Sequence, residues 1–285
     1  MIPPVVGAAV ADELQAAKAD MAIIDVRWYL DGRDGFAAFR DGHIPGARWA
    51  DLDHQLSATG QPATEGRHPL PSPAAFAAAM VELGIGDQTT VLAYDDTGGI
   101  IAARLVVMLR MIGHSAALID GGLHGWAGPI ETGPGIQRPD RAAKFTPVAW
   151  PAERLADATT TETAAKTGRP VIDARSIERF LGDAVVPDKR PGHIPGARSA
   201  PASEVFTAAG FMRDPQDLRT HYAGRGITDS TTDAIAYCGS GVSACVNIVA
   251  MEHAGLAPAR LYVASWSGWS ADPTHPAATG EADPS

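Results

Sequence analysis

Cysteine is nearly absent: Cys238 and Cys245 are the only two among 285 residues. They lie seven positions apart, on what reads as a loop and the helix after it, which gives neither a disulfide framework nor a zinc spacing. No apolar run reaches 18 residues, so no membrane span is expected. The start, Met1-Ile2-Pro3-Pro4-Val5-Val6, lacks the basic residues of a signal peptide, and the cytoplasm is the expected compartment. Positive charge is also scarce: 23 Lys and Arg stand against 33 Asp and Glu, for a net charge of −10. That balance argues against nucleic acid or an anionic membrane surface as partner, although it leaves room for a local basic cleft. What remains is a soluble globular composition, 45% hydrophobic, long enough for two domains that each bury a core.

The chain repeats itself. Asp41-Gly42-His43-Ile44-Pro45-Gly46-Ala47-Arg48 returns, 150 positions later, as Pro191-Gly192-His193-Ile194-Pro195-Gly196-Ala197-Arg198. Ile23-Ile24-Asp25-Val26-Arg27 returns as Val171-Ile172-Asp173-Ala174-Arg175, and Asp120-Gly121-Gly122-Leu123-His124-Gly125-Trp126 is echoed by Ala264-Ser265-Trp266-Ser267-Gly268-Trp269. Three matches in one order predict two copies of one domain, 1–128 and 151–285, joined by a Gly/Pro-rich linker over 129–150. Apolar β-prone runs over 22–26, 90–94, 116–119, 171–174, 234–237 and 260–263 alternate with helical patterns such as 74–83 and 100–111. This alternation predicts an α/β fold of parallel sheets flanked by helices, with functional loops at the carboxyl ends of strands. The polar stretch 272–285 is expected to fray.

One such loop holds the cysteine. Tyr237-Cys238-Gly239-Ser240-Gly241-Val242-Ser243-Ala244 lies between the apolar run Ala234-Ile235-Ala236 and a helical pattern through Val246, Ile248, Val249 and Met251. Glycines let backbone N–H groups turn inward, and the helix start favours negative charge, as a thiolate nucleophile needs. Superposing the copies sets Asp95 opposite Cys238, so the first copy has no nucleophile and is read as a partner that shapes the cleft. Beside the cysteine, Gly239 and Ser240 supply no charge, so a dianionic donor would have to rely on backbone N–H groups or residues elsewhere. The Ser240 hydroxyl can reach a leaving group or an attacking thiol.

In these motifs the chain resembles the two-domain rhodanese family, the thiosulfate and 3-mercaptopyruvate sulfurtransferases, over nearly its whole length. The resemblance implies two tandem rhodanese-like domains and a cysteine that carries a sulfane sulfur as a persulfide. Cys238-Gly239-Ser240-Gly241-Val242-Ser243 is similar to the mercaptopyruvate type of loop, with Ser243 in place of threonine; the thiosulfate type has Arg and Lys after the cysteine. By the same resemblance, Cys238, Ser240, His68 and Asp53 are catalytic, with Asp53 holding His68 and Ser240 handing on a proton. Gly239, Gly241, Val242 and Ser243 cradle the sulfur, and Arg179 binds the substrate carboxylate. Read without the family, His68 is a solvated group in a proline-rich loop, Asp53 a turn or helix cap, and Arg179 a salt-bridge partner. The second arginine of the mercaptopyruvate enzymes, nine residues on, is missing: Asp188 follows Pro187, and Lys189 or Arg190 are the possible substitutes.

The donor is then a small sulfur compound and the acceptor a thiol, such as thioredoxin, or cyanide; neither a metal nor an organic cofactor is implied. Thiosulfate sulfurtransferase is the nearest alternative, and a rhodanese-fold sulfur carrier or binding module is the non-enzymatic one. A phosphatase of similar fold would need an arginine six positions after the cysteine, where this chain has Ala244. His43 and His193 are expected to fix turns, Arg27 and Arg175 to serve structure, Trp126 and Trp269 to anchor cores, and Cys245 to pack.

Overall fold

A computed structural model of the chain describes residues 1–17, 19–136, 143–184, 188 and 190–280. It divides into two compact units. The first comprises residues 1–58, 70–150 and 206–212; the second comprises 59–69, 151–205 and 213–285.

The first unit is built on strands β1 (Val5–Val6), β2 (Met21–Asp25), β3 (Arg48–Trp49), β4 (Thr90–Tyr94) and β5 (Ala116–Ile119). They pair in parallel in the order β1-β5-β4-β2-β3. The second uses β6 (Leu155–Ala156), β7 (Val171–Asp173), β8 (Arg198–Ser199), β9 (Ile235–Tyr237) and β10 (Arg260–Tyr262) in the matching order β6-β10-β9-β7-β8. Helices α1 (Ala8–Ala16), α2 (Gly35–Asp41), α3 (Pro73–Glu82) and α4 (Ala103–Met111) belong to the first unit. Helices α5 (Ala158–Lys166), α6 (Ile177–Leu181), α7 (Pro215–Ala223), α8 (Ala244–His253) and α9 (Ser265–Ala271) belong to the second. The central strands are apolar on both faces because helices cover both, as in any parallel sheet: from Val91 to Tyr94 and from Ile235 to Tyr237 every residue is buried. Among the described residues no helix is long and apolar enough to cross a membrane.

The repeated motifs are framework. Asp173, at the end of β7, pairs with Arg175, both buried, and Arg175 Nη2 also donates to the Gly192 carbonyl at 2.7 Å. The His193 ring stacks on Phe180 with centroids 3.7 Å apart, and its Nδ1 lies 2.8 Å from the Phe180 carbonyl. Burial moves the His193 pKa down, so this ring is held neutral in its turn. Asp25, Arg27, Gly42, His43 and Phe39 repeat the arrangement in the first unit. Trp269 is fully buried, as expected of an anchor, and Trp126 is half-buried, packing against the first unit's core while its indole N–H donates to the Pro129 carbonyl.

Two segments are better fixed than their composition suggests. In 129–150, Phe145 lies edge-on to Phe76 of α3, and Thr146 donates twice to Asp87. Trp150 Nε1 donates to the Pro71 carbonyl at 2.8 Å. The expected fraying of 272–285 does not hold up to residue 280. The Ala278 backbone pairs with His193, Gly280 N donates to Leu181, and the buried indole of Trp269 donates to Pro276 at 2.7 Å. Backbone pairing and a buried donor hold this polar stretch where an apolar face would otherwise be required. Residues 281–285 lie outside the described residues.

Candidate active site

Cys238 follows β9 directly, and α8 begins six residues later, so the intervening turn has to reverse tightly. Gly241 supplies the reversal with φ of +79°, where a Cβ would sit 2.5 Å from the Val263 carbonyl oxygen. Its N–H points at Cys238 Sγ, 3.1 Å away. The turn is held from outside by the start of α9. Trp266 N donates to the Cys238 carbonyl and Ser267 N to the Gly239 carbonyl, each at 2.9 Å. Ser265 Oγ accepts the Cys238 N–H at 3.1 Å and donates to the Tyr262 carbonyl at 2.9 Å. Ser265 reaches this position in the left-handed region, φ 53°, as the only such non-glycine among the described residues. With the Cys238 and Gly239 carbonyls drawn outward, the turn leaves the Gly241 N–H facing the sulfur.

Segment 59–69 packs against α9 within the second unit and brings two side chains to the loop. Arg67 N donates to Ser267 Oγ at 3.1 Å. His68, 6% exposed, places Nδ1 2.8 Å from Ser240 Oγ, itself buried, in a contact along which a proton can pass either way. Cys238, Ser240 and His68 are therefore together. Arg179, at the end of α6, is there too: a Cβ on Gly239 would lie 2.8 Å from Arg179 Nη2 and 3.0 Å from Arg67 Nη2. Between the two guanidiniums lies the Asp188 carboxylate, fully buried, with Oδ2 accepting from Arg179 Nη2 at 2.8 Å and Oδ1 from Arg67 Nη1.

Of the other expected residues, Val242 is buried in the turn and Ser243 immediately precedes α8. Cys245 is fully buried and donates its S–H to the Gly241 carbonyl at 3.4 Å, a packing role. Asp53 belongs to the first unit, where it accepts the Trp28 indole N–H at 3.0 Å. Among the described residues no group of three or more His, Cys, Asp or Glu side chains could hold a metal ion.

The rhodanese-like domain model matches residues 8–129 and again 153–272. The chain belongs to the rhodanese family of sulfurtransferases. A probable 3-mercaptopyruvate sulfurtransferase of Pseudomonas aeruginosa is 35% identical to this chain over 275 residues, 93% of this chain and 94% of that one. A putative thiosulfate sulfurtransferase of Mycobacterium tuberculosis is 37% identical over 266 residues, 92% of each. Among solved structures, the 3-mercaptopyruvate sulfotransferase SseA of Escherichia coli superposes with a TM-score of 0.79 at 30% identity, covering 93% of this chain and 99% of that one.

One sequence expectation about charge needs correction. Arg190 does not stand in for the missing arginine, because its guanidinium is taken up by the carbonyls of Trp269, Ser270, Asp272 and His275, which tie the end of the chain to the fold. Lys189 lies outside the described residues. The second guanidinium at the loop is Arg67, which sequence reasoning passed over although it adjoins His68. Its signal was that adjacency: a loop that delivers one side chain to a site delivers its neighbour close by. Asp188 was noticed only as a departure, not as the carboxylate that joins both arginines.

Proposed function

We propose that this chain moves a sulfane sulfur from 3-mercaptopyruvate, through a persulfide on Cys238, to a thiol acceptor. The observation that carries the reading is the uncharged turn around Cys238, with its Gly241 N–H on the sulfur and its Ser240 hydroxyl on a buried histidine. The Cys238 thiolate attacks the donor sulfur, an S–S bond forms and the C–S bond breaks. The electron pair of that bond leaves on the methylene carbon, conjugated with the neighbouring carbonyl as an enolate. The proton lost by the donor thiol returns to that carbon through Ser240 and His68, giving pyruvate, so atoms and charge balance. An acceptor thiolate then attacks the outer sulfur and releases the Cys238 thiolate. Arg179 offers a guanidinium fork to the donor carboxylate. The orienting role that the family likeness assigns to Asp53 is part of the proposal and is tested by Asp53→Asn. The acceptor is read as a small thiol or a thioredoxin-like dithiol, and the compartment as the cytoplasm.

The observation favouring thiosulfate as donor instead is the cationic pair Arg67 and Arg179 beside Gly239. Steady-state kinetics with each donor separates the readings. The proposal expects kcat/KM for 3-mercaptopyruvate to exceed that for thiosulfate by at least about a hundredfold; the reverse order would transfer the assignment to thiosulfate.

A further inference from the structure

The guanidinium pair and its carboxylate form a unit whose net charge is smaller than its arginines suggest. Arg67 and Arg179 both reach the space over Gly239, next to the nucleophile. Asp188, with no exposed side-chain surface, accepts from one with each oxygen. The arginines themselves stay partly open, with side-chain exposures of 30% and 17%. Arg179 Nε is buried and finds no acceptor among the described residues. Two guanidiniums and one carboxylate sum to a single positive charge with donors left over, enough to balance one carboxylate and not a dianion.

We infer that Asp188 is a specificity-determining residue: it joins Arg67 to Arg179 and holds the anchor at a net +1, selecting monoanionic sulfur donors over dianionic ones. The guanidiniums bind the anion and Asp188 acts through them, setting their spacing and charge. The inference rests on the proposed reading insofar as this pair receives the donor's carboxylate. Its test therefore uses anions that do not react.

Binding of pyruvate, a monoanion, and of sulfate, a dianion, is measured by calorimetry at fixed ionic strength on the full chain and on folded variants checked by thermal melting. The unmodified protein is expected to bind pyruvate more tightly. In Asp188→Asn, with net charge +2, the sulfate-to-pyruvate affinity ratio is expected to rise at least tenfold. In Arg67→Gln, with net charge near zero, the ratio is expected to fall, and the double variant, restored to +1, should return within about threefold of the original. If Asp188→Asn does not fold, the opposite shift in Arg67→Gln decides. A ratio unmoved by either variant, or no saturable binding of either anion, overturns the inference. Normal anion selectivity in a protein that takes sulfur from neither donor would overturn the proposed function and leave the inference standing.

Discussion

The two units place different residues at one point of the same frame. Asp25 pairs with Tyr94 across the first sheet and Asp173 with Tyr237 across the second, so the next residues, Asp95 and Cys238, are equivalent by register. Asp95 is fully buried, and its carboxylate accepts from the amides of Thr97, Gly99, Ile101 and Ala102 and from the Thr97 hydroxyl, at 2.7–3.1 Å. The turn is therefore an anion-binding ring of amides in its own right, and in the first unit its own side chain fills it. Cys238 puts a polarisable sulfur at that point instead, and the second unit surrounds it with His68, Arg67 and Arg179. One frame thus holds a self-satisfied carboxylate or a thiol with neighbours from other segments, depending on a single residue and the segments that reach it.

Exchanging residues between the turns breaks this comparison most severely. Cys238→Asp, which copies the first turn into the second, is expected to abolish sulfur transfer while preserving the melting transition. The reciprocal Asp95→Cys should gain no sulfur on the peptide carrying position 95, measured by mass spectrometry in a Cys238→Ser background, because the turn alone lacks the histidine and arginines. Next in size is Asp95→Ala. It strips five donors of their acceptor and should cost about 3 kcal/mol of stability, read by urea unfolding. Ser240→Ala removes the hydroxyl on His68, whose positional counterpart in the first turn, Thr97, donates to Asp95 instead. It should lower kcat for 3-mercaptopyruvate about a hundredfold with little change in KM. The last pair concerns the residue behind each turn. Gly122 and Ser265 share φ values of 54° and 53°. Gly122→Ala adds left-handed strain and sets a Cβ 2.3 Å from the Asp95 carbonyl oxygen, so it should cost about 3 kcal/mol. Ser265→Gly should stay within about 1 kcal/mol of neutral, because relief of the left-handed strain is offset by losing the acceptor for Cys238 N–H. Both are measured by thermal melts.

What could be read from the sequence follows from what is local. The six apolar runs became strands with ends shifted by at most a residue, because buried parallel strands need continuous hydrophobicity. The outer strands Val5–Val6, Arg48–Trp49, Leu155–Ala156 and Arg198–Ser199 are only two residues long, too short to leave a periodic trace. The cysteine turn was legible because glycine spacing and a helix start are written in adjacent residues. Arg67 at Gly239 was not, since the contact spans distant parts of the chain, and Asp188 could be seen as an exception but not as the partner of two arginines. Arg190 misled because a guanidinium in a loop looks the same in sequence whether it faces a ligand or four carbonyls.

The most direct test of the account weighs the intact protein after mixing with one equivalent of 3-mercaptopyruvate and no acceptor, while pyruvate is assayed in the same sample. The account predicts a gain of one sulfur atom on the peptide carrying Cys238, matched by one equivalent of pyruvate, with neither in Cys238→Ser. Pyruvate release without added mass, or a gain that persists in Cys238→Ser, would contradict transfer through this cysteine.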